Sequence, residues 1–167
     1  MAQQNARILI VDDEQETCEI LSILMKREGF QPITANDGET ALKMVRTELP
    51  DVLLADFMMP NMNGMQLMKS ANEIDPDMPT VIITGYADIP GAVTAMKAGA
   101  HDYMAKPFEN QEVVRVVRRA LAERELKRKL SRLSGLLQAN VSLREAMGPS
   151  DAVSRIISDV NHVAASN

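Results

Sequence analysis

Five short apolar runs alternate with amphipathic segments, and this alternation limits the fold more than any other feature of the sequence. A run such as ILIV at residues 8–11 is apolar on both faces, which is typical of parallel strands covered by helices on both sides. The predicted strands are Arg7–Val11, Gln31–Ala35, Val52–Asp56, Thr80–Thr84 and Asp102–Ala105. Strand and helix alternating five times predict an α/β fold with a doubly wound, five-stranded parallel sheet.

The amphipathic segments end at residues that stop helices. The predicted helices cover residues 14–28, 38–47, 64–74 and 88–98, and a last helix begins after Pro107. Gly29 and Gly99 follow the first and fourth segments, while Pro50 and Pro76 follow the second and third. Glycine just past a helix and proline shortly after it are common helix-stop signals.

Composition excludes several classes of protein. The net charge of −5 argues against wholesale nucleic-acid binding, and the single cysteine, Cys18, excludes a disulfide framework or a multi-cysteine zinc site. The longest apolar runs fall far short of the ~20 residues that a membrane span needs. The first residues lack the charged and apolar regions of a signal peptide. We therefore expect a cytoplasmic protein.

The C-terminal part of the chain has a different residue pattern, without strand-like apolar runs. Leucines recur at spacings of four, three and four residues, which is the seam of a short coiled coil. They are Leu126, Leu130, Leu133 and Leu137. A helix this short is marginal alone, so we expect it to pair with a second copy. The predicted organisation is a domain over residues 5–125, a helical linker over 126–146, and a separate segment over 147–167.

Acidic and polar residues lie where the predicted strands end. Asp12 and Asp13 follow the first strand, Asp56 and Thr84 end the third and fourth, and Lys106 follows the fifth. The carboxyl ends of parallel strands meet at one edge of the sheet, so these residues should be neighbours. Three carboxylates repel one another unless a cation lies among them. Oxygen ligands without His or Cys favour Mg²⁺.

This combination predicts phosphoryl chemistry. One carboxylate would be free to attack a phosphoryl group while the metal and Lys106 neutralise the developing charge. Thr84 can donate its hydroxyl to a phosphoryl oxygen, and a cis Lys106–Pro107 bond would aim the ammonium inward. Taken singly, Asp13 could be a helix cap, Asp56 the start of a turn, and Thr84 a strand end. Their joint occurrence at four strand ends favours a common site.

These motifs resemble those of bacterial response-regulator receiver domains. The similar segments are ILIVDDE (8–14), DVLLADFMMPNMNG (51–64), VIITGY (81–86) and AGAHDYMAKPF (98–108). They occur in the family's order over roughly residues 5 to 125. The resemblance implies the strand order 2-1-3-4-5, and the leucine pattern predicts an extended C-terminal helical linker after it.

The resemblance also implies residue roles. Asp56 matches the phosphorylated aspartate, and Asp12 and Asp13 match the acids that bind Mg²⁺. Met58 matches the position whose backbone carbonyl also binds Mg²⁺. Its side chain replaces a polar residue often found there and cannot orient a water, so we expect slow self-dephosphorylation.

The remaining positions match the family's switch. Thr84 and Lys106 match the pair that contacts the phosphoryl group, and Tyr103 matches the aromatic residue that turns inward when Thr84 moves. A partly buried strand aromatic is the alternative interpretation of Tyr103. The family's partner is a sensor histidine kinase, which donates the phosphoryl group from a phosphohistidine.

The region after Thr84 is similar to receivers of transcriptional activators that work with sigma-54. Residues 147–167 look like the opening of their ATPase domain. The chain contains no Gly-x-x-x-x-Gly-Lys-Ser/Thr motif, so we expect no ATPase activity from it. This resemblance implies that the chain is a fragment of a longer parent, which contacts DNA and sigma-54 RNA polymerase, whereas the fragment does not. It also implies a homodimer, formed through a receiver face and the linker, that phosphorylation rearranges.

Two other functions remain open at this level. One is a Mg²⁺-dependent phosphatase or phosphotransferase that works through an aspartyl-phosphate. That class usually has a second acid two residues after the nucleophile, where this chain has Met58. The other is an interaction domain that is not phosphorylated, against which the complete acid, Thr84 and Lys106 set argues.

Overall fold

The computed structural model describes residues 5–85 and 89–147. The elements are β1 (Arg7–Val11), α1 (Gln15–Arg27), β2 (Gln31–Ala35), α2 (Gly38–Glu48), β3 (Val52–Asp56), α3 (Gly64–Ile74), β4 (Thr80–Thr84), α4 (Ile89–Lys97), β5 (Asp102–Ala105) and α5 (Asn110–Met147). All five predicted strands are confirmed with their bounds.

The strands form one parallel sheet in the order β2-β1-β3-β4-β5. In its centre Val11 pairs with Ala55, and Asp56 pairs with Ile83. The order reverses beside β1, because β1 lies between β2 and β3. The doubly wound sheet and its 2-1-3-4-5 order are therefore confirmed, and the reversal creates the crevice in which such sheets bind ligands.

Two apolar clusters cover the two faces of the sheet. Ile8 and Ile10 point into the cluster that α1 and α5 complete, whereas Leu9 and Val11 point into the cluster that α2, α3 and α4 complete. Successive strand residues face opposite sides, so a fully apolar strand needs helices on both. This two-sided burial explains the continuous apolar runs.

Within the described residues, the predicted bounds of α3 match the structure to the residue, and those of α1, α2 and α4 agree to within one residue. α2 reaches Glu48, where 47 was predicted, and ends against Leu49 in the left-handed conformation at φ 49°. Asp37 caps α2 by accepting from the Thr40 N–H, and Asn63 forms a capping box with Gln66 at α3. The predicted start of α4 at residue 88 lies outside the described residues.

The chain divides into two compact units, residues 1–126 and 127–167. α5 is a continuous helix from Asn110 to Met147 that includes the end of the first unit and the start of the second. The predicted segment after residue 147 lies outside the described residues, and the three-part division stays a prediction. No helix within the described ranges is long and apolar enough to cross a membrane.

Candidate functional site

Three carboxylates meet at the carboxyl edge of the sheet. The parallel pairing of β1 with β3 brings the loop after Val11 beside the end of β3. One carboxylate oxygen each from Asp12, Asp13 and Asp56 lies within 4.8 Å of the others. Asp12 and Asp56 are only 2% and 7% exposed, while Asp13 is exposed. The site is thus an acidic pocket with one side open to solvent.

Lys106 extends from the loop after β5 into this pocket. Its Nζ lies 2.7 Å from Asp12 Oδ2, 3.6 Å from Asp56 Oδ2 and 3.9 Å from Glu14 Oε2. The Lys106 N–H also donates to the Thr84 carbonyl at 2.7 Å, and the Lys106–Pro107 bond is cis. The ammonium therefore lies among the acids and leaves them with a net negative charge.

The pKa shifts follow from burial and these contacts. Burial raises the pKa of Asp56; Lys106 opposes this rise, and Asp12 adds to it. Burial alone would lower the pKa of Lys106, but the hydrogen bond to Asp12 and the surrounding carboxylates raise it. Lys106 thus stays protonated, and Asp56 stands in an environment that disfavours its charge until a cation compensates.

The donor set fits a hard divalent cation. Asp56 Oδ1 is buried and has no hydrogen-bond partner among the described residues. Asp12 Oδ1 is fixed by the Glu14 N–H at 2.9 Å. Asp13 supplies a third oxygen from the exposed side. Carboxylate oxygens with an open side for water are the environment that Mg²⁺ prefers.

The other predicted residues lie on β4, on β5 and in the loop after β3. Thr84 ends β4 and is fully buried, next to Ala105 of β5. Tyr103 is partly buried on β5 and packs against the cluster of α2, α3 and α4. Met58 is 56% exposed, and its backbone N–H lowers the pKa of the Asp56 carboxyl. Thr84 therefore lies at the same edge of the sheet as Asp56, whereas Tyr103 lies within β5, where it pairs with Ile82.

Two residues near the pocket were not assigned a role from sequence. A Cβ at Gly64 would lie 2.4 Å from the Asp56 carbonyl oxygen, so only glycine fits there. The Gly64 N–H also donates to the Phe57 carbonyl at 3.1 Å. Glu14 faces Lys106 from the rim. The signals were a glycine eight residues after Asp56 and an acid directly after the Asp12–Asp13 pair.

The leucines of the predicted seam are exposed in this single chain. Leu126, Leu130 and Leu133 are 58%, 56% and 57% exposed. Leu136, which the predicted seam omits, is 65% exposed as well. The side chain of Leu137 lies outside the described residues. Pairing with a second copy stays a prediction.

Comparison with known proteins decides the family. The family model described as the response regulator receiver domain matches residues 8–118. The chain belongs to this family. The matched region contains the acidic pocket and all of the sheet except Arg7, and the leucine seam begins after it.

Several characterised proteins resemble this receiver. It is 35% identical over 160 residues to the regulatory protein AtoC of Escherichia coli (strain K12), covering 96% of this chain and 35% of AtoC. A receiver domain from Clostridium thermocellum superimposes with a TM-score of 0.69 at 30% identity, covering 72% of this chain and 98% of that one. NtrX from Brucella abortus superimposes with a TM-score of 0.74 at 32% identity, covering 77% of this chain and 30% of the NtrX chain. The chain thus spans about a third of AtoC and of NtrX.

Proposed function

We propose that this chain is the phosphoacceptor receiver of a two-component response regulator and that Asp56 carries the phosphoryl group. The observation that carries the proposal is the unpartnered, buried Asp56 Oδ1 beside Asp12, Asp13 and the Lys106 ammonium. A buried carboxylate oxygen without a donor is costly. It is explained if this atom binds a cation or forms a bond to phosphorus.

The transfer step balances without further reagents. A carboxylate oxygen of Asp56 attacks the phosphorus of a sensor kinase phosphohistidine, the P–N bond breaks, and its electron pair returns to the imidazole. The product is an acyl phosphate on Asp56. Lys106, now 3.6 Å from Asp56, stabilises the charge on the phosphoryl oxygens.

The metal site deepens this assignment. Asp12, Asp13, Asp56 and the backbone carbonyl of Met58 would hold Mg²⁺, which orients the phosphoryl oxygens and neutralises their charge. Asp12 also holds Lys106 at 2.7 Å, so the same acid would serve both the metal and the ammonium. Loss of Asp12 should therefore weaken Mg²⁺ binding and also displace the Lys106 ammonium.

The output follows from the two neighbouring strands. Thr84 would donate its hydroxyl to the phosphoryl group, and Tyr103 on β5 would turn inward as Thr84 moves. The partly buried position of Tyr103 supports a side chain that can take two positions. The phosphorylated receiver would then rearrange a homodimer formed through its own face and the leucine seam.

The parent protein is a transcription activator of the sigma-54 class in this proposal. Similarity to AtoC over 96% of the chain supports it, because the match continues past the receiver into the segment after residue 126. The parent would contact DNA and sigma-54 RNA polymerase through parts that lie outside this sequence.

Magnesium titration followed by amide NMR tests the site. Mg²⁺ should shift the amides of Asp12, Asp13, Asp56 and Met58, and Asp13→Asn should weaken binding at least severalfold. Saturation of the wild type without shifts at these amides would contradict the proposal. Turnover of free phosphoesters would favour the enzyme alternative, and failure to bind Mg²⁺ would favour a plain interaction domain.

A further inference from the structure

A buried cation holds the end of the packed part of α5. Arg124 is 3% exposed, its Nη2 donates to Asp75 Oδ2 at 2.7 Å, and its Nε lies 3.7 Å from Asp51 Oδ1. Arginine is almost never fully buried unless it is paired. The two carboxylates come from the loops before β3 and β4, so Arg124 ties α5 to both loops.

Each carboxylate is itself fixed, Asp51 to β1 and Asp75 to the turn after α3. Asp51 Oδ2 accepts from the Arg7 N–H at 3.1 Å, and the Asp51 N–H donates to the Arg7 carbonyl at 2.7 Å. Asp75 Oδ1 accepts from the Asp77 N–H at 3.1 Å. Arg124 is therefore anchored to β1 and to the turn after α3.

Arg124, Asp51 and Asp75 together form a clamp, and this clamp lies where the buried part of α5 ends. Leu121 and Arg124 are the last buried residues among those of α5 whose burial the structure describes, and residues 126–136 are exposed. Leu126, which begins the seam, follows two residues later. No glycine or proline interrupts the helix between Arg124 and Gly135. Whatever holds Arg124 thus determines where the packed part of α5 ends.

The clamp is distant from the phosphoacceptor. Asp51 precedes β3 and Asp56 ends it, and at about 3.3 Å per residue this strand separates the two by about 17 Å. A change at Arg124 should therefore leave the acidic pocket as it is.

The clamp is also incompletely satisfied. Arg124 Nε and Nη1 have no hydrogen-bond partner among the described residues, although both atoms are buried. A buried polar network that is only partly satisfied is held less firmly than a complete one. Asp51 and Asp75 keep 28% and 31% of their side chains exposed, so water can solvate both when the clamp opens.

We propose that Arg124 is a positioning residue that couples the receiver to the seam: it holds the last packed turn of α5 so that phosphorylation changes pairing through the leucines. This inference rests on the proposed function. It predicts that loss of the clamp separates two properties, leaving phosphoryl uptake intact while removing its effect on dimerisation.

The test compares the full chain with Arg124→Met and with Arg118→Met, a matched variant of an exposed arginine on the same helix that pairs with Glu28. Sedimentation measures dimer dissociation with and without beryllofluoride, a stable phosphoryl mimic, in Mg²⁺. We expect a wild-type change of about tenfold, within the usual range of coupling between sites. Arg124→Met should reduce the change to below about twofold. Arg118→Met should leave it unchanged.

Hydrogen exchange of the unphosphorylated chains gives a second, independent readout. Arg124→Met should speed the exchange of amides 119–126 and leave amides 112–117 protected, because only the last packed turn is released. A wild-type dimer response in Arg124→Met, unchanged exchange at 119–126, or an equal loss in Arg118→Met would overturn the proposal.

Two outcomes keep the proposal separate from the function on which it rests. If the wild type takes up no beryllofluoride, the proposed function fails, while the exchange comparison still decides whether Arg124 holds the helix. If Arg124→Met does not fold, Arg124→Lys keeps the charge but cannot contact both carboxylates, and it should show the same loss of response.

Discussion

At the scale of single residues, the acidic pocket holds more negative charge than the Lys106 ammonium can neutralise. Lys106 is close enough to Asp12 to neutralise it, yet Asp56 and Asp13 remain without a full counter-charge. Burial raises the pKa of Asp56, and Lys106 offsets only part of this effect. The pocket is therefore suited to gain a cation, which the proposed function requires before Asp56 can act as a nucleophile.

The first prediction concerns the lifetime of the phosphorylated form. The exposed thioether of Met58 cannot orient a water towards the acyl phosphate, so the wild type should lose its phosphoryl group slowly. Met58→Asn should shorten the lifetime severalfold, as measured by intact mass over time after removal of the donor. A wild-type lifetime of seconds, or no change in the variant, would contradict this explanation.

The second prediction concerns Gly64. Gly64→Ala should destabilise the fold by about 1–3 kcal/mol in urea unfolding, the usual cost of an atom forced into a packed position. The new methyl would meet the Asp56 backbone at 2.4 Å, so phosphorylation should slow as well. Gly135→Ala is the matched control, since nothing lies within 4 Å of its Cβ position. It should stabilise its helix by up to ~1 kcal/mol. Equal effects at the two positions would be inconsistent with the steric explanation.

At the scale of elements, α2 depends on a charged cap. The Thr40 backbone N–H and hydroxyl both donate to Asp37 and lower its pKa. A carboxyl with a lowered folded pKa stabilises the fold fully above its unfolded value, near pH ~4, and loses this contribution as pH falls through the folded pKa.

This cap gives the third prediction. Asp37→Ala should cost about 1 kcal/mol in urea unfolding at neutral pH, the typical value for a lost cap. The difference from wild type should shrink as the pH falls below about 4, because the wild-type carboxyl is protonated as the pH passes through its lowered folded pKa. Asp37→Asn keeps the acceptor without the charge and should show a smaller loss with little pH dependence. A loss in Asp37→Ala that does not vary with pH would contradict the role of the charge.

Sequence reasoning located the strands to the residue because each is a short apolar run between turn residues, such as Val52–Asp56. It was less accurate at helix ends, where local backbone geometry decides. Leu49 ends α2 in a left-handed conformation that its residue type does not predict. The ends of the strands depend on burial, which the pattern of apolar residues indicates. The ends of the helices also depend on local hydrogen bonds, which that pattern does not indicate.

The acidic pocket was predictable because one topological rule gathers the carboxyl ends of parallel strands. The close approach of Gly64 to the Asp56 backbone was not, since it depends on the path of a loop. The burial of Arg124 against Asp75 and Asp51 was not predictable either. Its acidic partners are 49 and 73 residues away, and no local pattern connects them.

At the scale of the whole molecule, the seam should control association. Deleting residues 126–140 removes the exposed Leu126, Leu130 and Leu133 and should leave a mostly monomeric unphosphorylated receiver. The receiver retains its own core, so its unfolding transition should persist. Light scattering with and without the deletion checks this fourth prediction, and an unchanged dimer would place the interface elsewhere.

The most direct test of the account is the intact mass of the chain after incubation with acetyl phosphate and Mg²⁺, beside Asp56→Ala and a sample without Mg²⁺. We expect one added phosphoryl group in the wild type and none in the variant or without the metal. Phosphoryl addition in Asp56→Ala would contradict the assignment of the acceptor. An unmodified wild type that also fails to bind beryllofluoride would contradict the switch itself.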